Sequence, residues 1–297
     1  MSVDLHRDRR ARLADALRKA ANAVRRAEAS ADLAAKCEAS IIPPSPAARR
    51  LRQRIVALHR RSEQRHLAVA RLYYAYAGLL NRQAVSLEGR ALPFVAAVPA
   101  ILGMQSASVT LLAGRSGDVV LASDRTAHAA QDLEFTLGEG PAGDCRRTGP
   151  LRATPAQIRR RWPHYGPAIA DLGVHSLGAV PLQLAAAPVG SLVVFGSQPA
   201  GITADLERLG RIGGAFVEAL LAEPGDDGVH PAAALPWMAD IDYRPEVHQA
   251  AGILAHQGDC STADALALLR ARAFVEGANL TDVARGVVDG TRSILDD

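Results

Sequence analysis

The spacing G-x-G-x-x-G occurs once, at Gly138-Glu139-Gly140-Pro141-Ala142-Gly143. Between a strand and a helix, such glycines bring backbone N–H groups close to a pyrophosphate. Two residue choices exclude that use. Pro141 removes an N–H from the phosphate-facing turn. Where a dinucleotide site wants an acidic residue about 20 positions on, the chain reads Arg159-Arg160-Arg161-Trp162. What is left is a tight turn that opens a helix, or a helix N-terminus that touches an anionic part of a ligand. Cys145 follows Asp144 and precedes Arg146 and Arg147. Cationic neighbours at a helix start lower a thiol pKa, whereas a lone thiol inside a folded domain is inert. The nine histidines are scattered, with no H-x3-H or C-x2-C pair, so no metal site is expected. Neither a nucleophile elbow nor a Walker loop occurs. No catalytic residues stand out, no cofactor is implied, and an enzyme is not expected.

Charge offers a second chemistry. The 297 residues carry a net charge of +3, but residues 1–90 hold 19 Lys and Arg against 8 Asp and Glu, a net of +11. The rest is acidic at −8, and residues 240–297 alone stand at −5. Arg49, Arg50, Arg52, Arg54, Arg60 and Arg61 read as a basic face for nucleic acid or as a solvated surface. Trp162 and Tyr165, in Arg-Arg-Arg-Trp-Pro-His-Tyr, read as base-stacking aromatics or as local packing. With 4% aromatic residues overall, local packing is the expectation.

These residues need elements to position them. Residues 1–39 have no Gly or Pro and are rich in Ala and Arg, which predicts a helix. Its apolar positions step 4-3 through Leu13, Leu17, Ala20, Val24, Ala27, Ala31 and Ala34. Prolines within 41–46 break the chain. A second helix is predicted over about 47–82. Its positions 51, 55, 58, 62, 65, 69, 72, 76 and 79 suggest a coiled-coil seam for dimerisation, or a pair folding back on its own body.

A helix at about 91–104 precedes strands at Ser106–Gly114 and Val119–Asp124, joined through Arg115-Ser116-Gly117-Asp118. Leu133-Glu134-Phe135-Thr136-Leu137 alternates and predicts a strand. A helix starts at Pro141 and ends before Gly149. Strands follow at 177–184 and 189–196, then a helix capped by Thr203. From Leu172 to Ala204 only His175 can ionise, but the prolines and glycines there favour a buried hairpin over a membrane span. Residues 224–239 read as a linker. Three short helices fill 240–297. Pro245 and Gly258 bound the first, and Ser261 with Asp264 and Gly277 bound the second. Thr281 opens the third, which runs to about Ile294. The fold class is therefore multidomain α+β. It comprises long N-terminal helices over 1–88, an antiparallel sheet with packed helices over 89–223, and a three-helix bundle over 240–297.

Several pieces of 133–223 occur in a familiar order. They are Leu137-Gly138-Glu139-Gly140-Pro141, Asp144, Thr148-Gly149, Trp162-Pro163, Gly173-Val174 with Ser176, Pro181-Leu182, and Gly190 before Leu192-Val193-Val194-Phe195-Gly196. This region resembles a GAF domain of the actinobacterial regulator type. Residues 244–289 resemble an ANTAR domain, through Gln249-Ala250, Gly252-Ile253-Leu254, Ala265, Leu269-Arg270, Ala273, Leu280 and Val283-Ala284. The first resemblance implies a sensory fold with a small-molecule pocket, lined by Phe135, Leu137, Val180, Leu182 and Phe195. On the other reading these five are ordinary core. The second implies a bundle that binds paired RNA stem-loops, usually as a homodimer, and prevents a terminator from forming. Its candidate contacts are Arg244, Gln249, Arg270, Arg272 and Arg285. ANTAR domains commonly place Lys where this chain has Ala251. The expectation is a cytoplasmic sensory regulator of transcription antitermination, consistent with three unpaired-looking cysteines, no apolar leader and no membrane contact. The alternatives are a DNA-binding regulator, with 281–295 reading bases, or a protein-interaction adaptor that has lost RNA binding.

Overall fold

Alanine at every third or fourth position shapes the N-terminal helices. In the computed structural model, which describes residues 2–40, 45–82, 92–112, 118–184, 187–199, 205–221 and 245–294, α1 (Ser2–Ala39) and α2 (Pro46–Asn81) pack side by side. The buried stripe of α1 is Ala16, Ala20, Ala23, Ala27, Ser30 and Ala34. Its 4-3-4-3-4 steps keep one face inward, and small side chains let the helices approach closely. Lys19 lies over the Tyr73 ring, Ser30 donates to Ser62 and Arg60 pairs with Glu38, so the two helices run antiparallel. The seam is thus offset from the expected one: Leu17 is exposed, and Ala16 and Ala23 are buried instead. The seam predicted on α2 divides. Val69, Leu72 and Tyr76 are buried, with the Phe94 ring 4.7 Å from Tyr76. Leu51, Ile55 and Leu58 remain exposed at the far end of the hairpin.

Next come α3 (Leu92–Leu102), β1 (Ser106–Leu112) and β2 (Asp118–Ala122). They are followed by α4 (Arg125–Leu137), α5 (Pro141–Thr148), β3 (Leu151–Ala153), α6 (Pro155–Arg161) and α7 (Tyr165–Asp171). Then β4 (Ser176–Leu184), β5 (Ala187–Gly196) and α8 (Leu206–Leu221) complete the middle of the chain. The sheet order is β2-β1-β5-β4-β3, antiparallel throughout. The segment from Leu172 to Ala204 contributes the β4–β5 pair, as its prolines and glycines suggested. No described helix is long and apolar enough to cross a membrane.

Alternation divides the sheet into two faces. Val109, Leu111, Val180, Leu182, Leu192 and Val194 point into one core shared with α2, α3 and α8. Leu177, Ala179, Val193 and Phe195 point into a second core under α4 to α7. Gly190 permits the central pairing, because a Cβ there would fall 2.1 Å from the Thr110 carbonyl oxygen.

Residues 133–137 are the end of α4, not a strand. Five alternating residues are too few to fix a period. The helix is set upstream: the Asp124 carboxylate accepts from the Ala127 N–H at 2.9 Å, and Ala127, Ala130 and Gln131 share the buried face. Gly138 closes it at φ 68.

The C-terminal elements are α9 (Pro245–Gln257), α10 (Thr262–Glu276) and α11 (Leu280–Val288). The predicted caps of α10 hold: Ser261 accepts from the Asp264 N–H, and Gly277 is left-handed at φ 60. Two boundaries differ. The left-handed residue after α9 is Asp259, not Gly258. Asn279 rather than Thr281 caps α11, its side chain accepting from the Thr281 N–H, and α11 stops at Val288 instead of near Ile294. The residues 115–117, 203 and 224–239, expected as turn, cap and linker, lie outside the described residues.

Candidate nucleic-acid interface

The C-terminal helices close on a core of Val247, Ala250, Ala251, Leu254, Ala265, Leu269, Ala273, Leu280, Val283 and Ala284. Five of these are alanine, so the three helices cross closely. Ala251 is 1% exposed: its position faces the core, not a ligand.

The candidate RNA contacts occupy different surfaces. Gln249 is exposed on α9. Arg270 and Arg272 are two residues apart on α10, hence about 200° apart around the helix. The Arg270 guanidinium sits over the Phe135 ring of α4, 4.8 Å from its centroid. Arg272 donates to Glu276 at 2.5 Å, and Arg292 donates to the same carboxylate at 2.5 Å. The hydrogen bond from Arg272 leads in holding the Glu276 carboxyl below its usual range, with Arg292 adding to it. Arg285 pairs with Asp282 at 3.1 Å and with Glu246 of α9 at 3.8 Å. Arg244 lies outside the described residues. The candidate cations therefore do not form one basic face, and each described one already has a partner within the chain.

The glycine motif of the middle block has a different use from the one its spacing suggests. The anion at the start of α5 is the chain's own Glu134. Its carboxylate accepts from the Ala142 and Gly143 N–H groups at 3.1 and 2.8 Å. A Cβ at Gly140 would strike Glu134 at 2.5 Å, so glycine makes room for that carboxylate. Burial pushes the Glu134 carboxyl up, against the pull of the two N–H groups. Glu139 accepts from the His164 and Tyr165 N–H groups at 2.6 and 2.8 Å, satisfying the start of α7. Asp144 accepts from Arg161 at 2.8 Å, from the Trp162 indole N–H at 3.0 Å and from Arg147. Sequence reading registered these acids as motif letters and missed their work, which needs partners up to 26 residues away.

Burial, ahead of any neighbour, pushes the Cys145 thiol up to about 12, so the low-pKa reading fails. Trp162 and Tyr165 are fully buried against each other, which makes them core and not a stacking platform. Among the described residues no group of three His, Cys, Asp or Glu is placed to hold a metal.

The five candidate pocket residues do not meet. Val180 and Leu182 belong to the face under α8. Phe195 and Leu137 belong to the opposite core, and Phe135 packs against the C-terminal bundle. Adjacent strand residues such as Val194 and Phe195 point to opposite faces, so an apolar set chosen across both parities cannot line one cavity. A buried polar group on the second face was not foreseen. Thr110 donates to Gln131 at 3.0 Å, Gln131 donates to Ser108 at 3.0 Å, and Arg146 donates to Ser191 at 3.3 Å.

Residues 238–288 match the family model of the ANTAR domain. The C-terminus carries an ANTAR domain. Among curated proteins nothing matches. Among solved structures, the chain is similar to the phycocyanobilin-bound GAF domain of a cyanobacterial phytochrome. The identity is 17%, over 52% of this chain and 93% of that one, with a TM-score of 0.36. It is also similar to a domain described as part of a two-component sensor histidine kinase protein from Sinorhizobium meliloti 1021. There the identity is 17%, over 43% of this chain and 85% of that one, with a TM-score of 0.34.

Proposed function

We propose that the chain is a cytoplasmic regulator that binds paired RNA stem-loops through its ANTAR domain and so controls transcription termination. The observation that carries this is the ANTAR match over 238–288, on a three-helix bundle with an alanine-lined core. The input is the sheet domain over 89–223, read as GAF-like on its sequence motifs and taking a small ligand. The arm over 1–88 joins two copies into a homodimer, and residues 224–239 link sensor to RNA binder. No bond-making chemistry is assigned to any residue.

Filter binding of the full chain to RNA with two tandem stem-loops tests this reading. Affinity should fall with salt, by roughly 0.9 or less in log–log slope for each phosphate neutralised. Salt-insensitive or absent binding refutes it.

One observation favours a second reading, a protein-interaction adaptor. The bundle's cations are split between surfaces and paired internally, and residues 240–297 are acidic. DNA reading has less support, because α11 offers Arg285 as its cation and that side chain is already paired.

A further inference from the structure

We infer that the seating of α10 on α4 is a latch that masks the RNA-facing side of the ANTAR domain until the sensory sheet releases it. This rests on the RNA reading above and names how that site is regulated.

Three contacts build the seat. The Arg270 guanidinium covers the Phe135 ring, and a Cβ at Gly138 would lie 3.8 Å from the Arg270 Nη1 atom. Phe135 also packs against the bundle's own core cluster. Further along α10, the Phe274 ring meets the ring of His164, the residue that precedes α7 beside α4, edge to face at 6.0 Å. Arg270 is a candidate RNA contact, and here it lies half-buried between two helices. An RNA stem is far wider than the gap between a guanidinium and the ring it touches. RNA cannot reach that side of α10 while α4 occupies it.

The seat is small and has a wet rim. Phe274 is 58% exposed and Val275 is 80% exposed. A contact of this kind biases an equilibrium between docked and free states without locking it. One cation–π pair and one ring pair hold the docked state by about tenfold, and apparent RNA affinity falls by the same factor.

The sensory sheet can act on the seat through α4. One turn before Phe135 on that helix, Gln131 bonds Ser108 and Thr110 on the buried polar face of the sheet. Glu134, beside Phe135, holds the start of α5. A ligand that rearranges this face must move α4, and α4 carries the ring on which Arg270 rests.

The test uses the full chain with Phe135→Ala and, as a milder change, His164→Ala, whose side chain is exposed. Binding of a tandem two-stem-loop RNA is measured by fluorescence anisotropy at fixed salt. Amide exchange of Leu268–Glu276 is followed in the same samples. Both variants should exchange faster across α10. They should bind RNA more tightly, by up to about tenfold, and adding Arg270→Ala should remove the gain. Unchanged α10 exchange in both variants overturns the docking, and faster exchange with unchanged affinity overturns the masking. If no form binds RNA, the wild type included, the RNA reading falls and the masking role with it, while exchange still reports on the docking.

Discussion

Replacing Gly190 by alanine tests the idea that close strand approach holds the central sheet together. The added Cβ would lie 2.1 Å from the Thr110 carbonyl oxygen and 3.2 Å from the Leu111 Cα. Both are backbone atoms, so no rotamer change relieves the clash. Strands β1 and β5 must part by about 1.3 Å to reach ordinary contact, which stretches the ladder at Thr110↔Ser191 and Leu111↔Gly190. Overpacking of this kind costs roughly 1–3 kcal/mol, and each ladder hydrogen bond lost costs roughly 1 kcal/mol. The expected local destabilisation is about 3 kcal/mol. Separate cores make a single unfolding transition an unsafe readout, so local amide exchange is the better assay. Protection of β1 and β5 should fall on the order of 100-fold. Gly214→Ala is the control. That glycine lies in α8 with nothing within 4 Å of a new Cβ, and alanine there should stabilise by roughly 0.5–1 kcal/mol. A loss below tenfold for Gly190→Ala, or an equal loss for Gly214→Ala, refutes the reasoning.

Three further outcomes are expected. Asp144→Ala leaves the Trp162 indole N–H buried without its acceptor, at about 1–3 kcal/mol. A urea titration of tryptophan fluorescence should show the lower midpoint, and Asp144→Asn should recover part of it. Burial raises the Glu134 carboxyl above its ordinary value of 4.5, so the folded chain binds that proton more tightly than the unfolded chain. Its contribution is then fully present below that ordinary value and is lost as pH rises through the folded pKa. Amide-exchange protection of α4 and α5, compared between wild type and Glu134→Gln at each pH, should therefore diverge with rising pH in favour of the variant, and parallel curves would contradict this. If the arm assists RNA binding, changing the exposed Arg49, Arg50, Arg54 and Arg61 to Gln should flatten the salt dependence. Deleting residues 1–46 is a poorer test, because α1 buries Ala16, Ala20 and Ala23 in the core shared with α2.

Local signals in the sequence carried much of the fold. Proline and glycine punctuation placed β4, β5, α5 and α10, and serine and aspartate spacing placed the α10 cap. Misreadings arose where a tertiary partner decided. The stretch 133–137 alternates like a strand, but its helix is nucleated at Asp124, nine residues before the window begins. The seam of α1 follows alanine rather than leucine because α2 lies against it, and alanine alone carries no directional signal. Candidate site residues were less legible still. Phe135 was chosen for apolarity, yet its neighbour in space is Arg270, 135 positions away. Nothing local in either segment encodes that pair.

The distribution of charge now bears on mechanism. In the C-terminal segment, Arg272 and Arg292 share Glu276, and Arg285 is held by Asp282 and Glu246. These are surface pairs, worth little each, and a phosphate can compete for their cations. Their effect is to cancel the few cations of a region whose net charge is −5, so a stem-loop is not drawn to it at long range. The α1–α2 hairpin is the opposite case, because Arg49, Arg50, Arg54 and Arg61 are exposed and the net charge of residues 1–90 is +11. Attraction would come from the arm and selection from the bundle. Adding salt should then slow association more than it speeds dissociation, because screening acts on the long-range approach. Stopped-flow rates at two salt concentrations would show it. A salt effect confined to dissociation would place the charge contacts in the bundle instead.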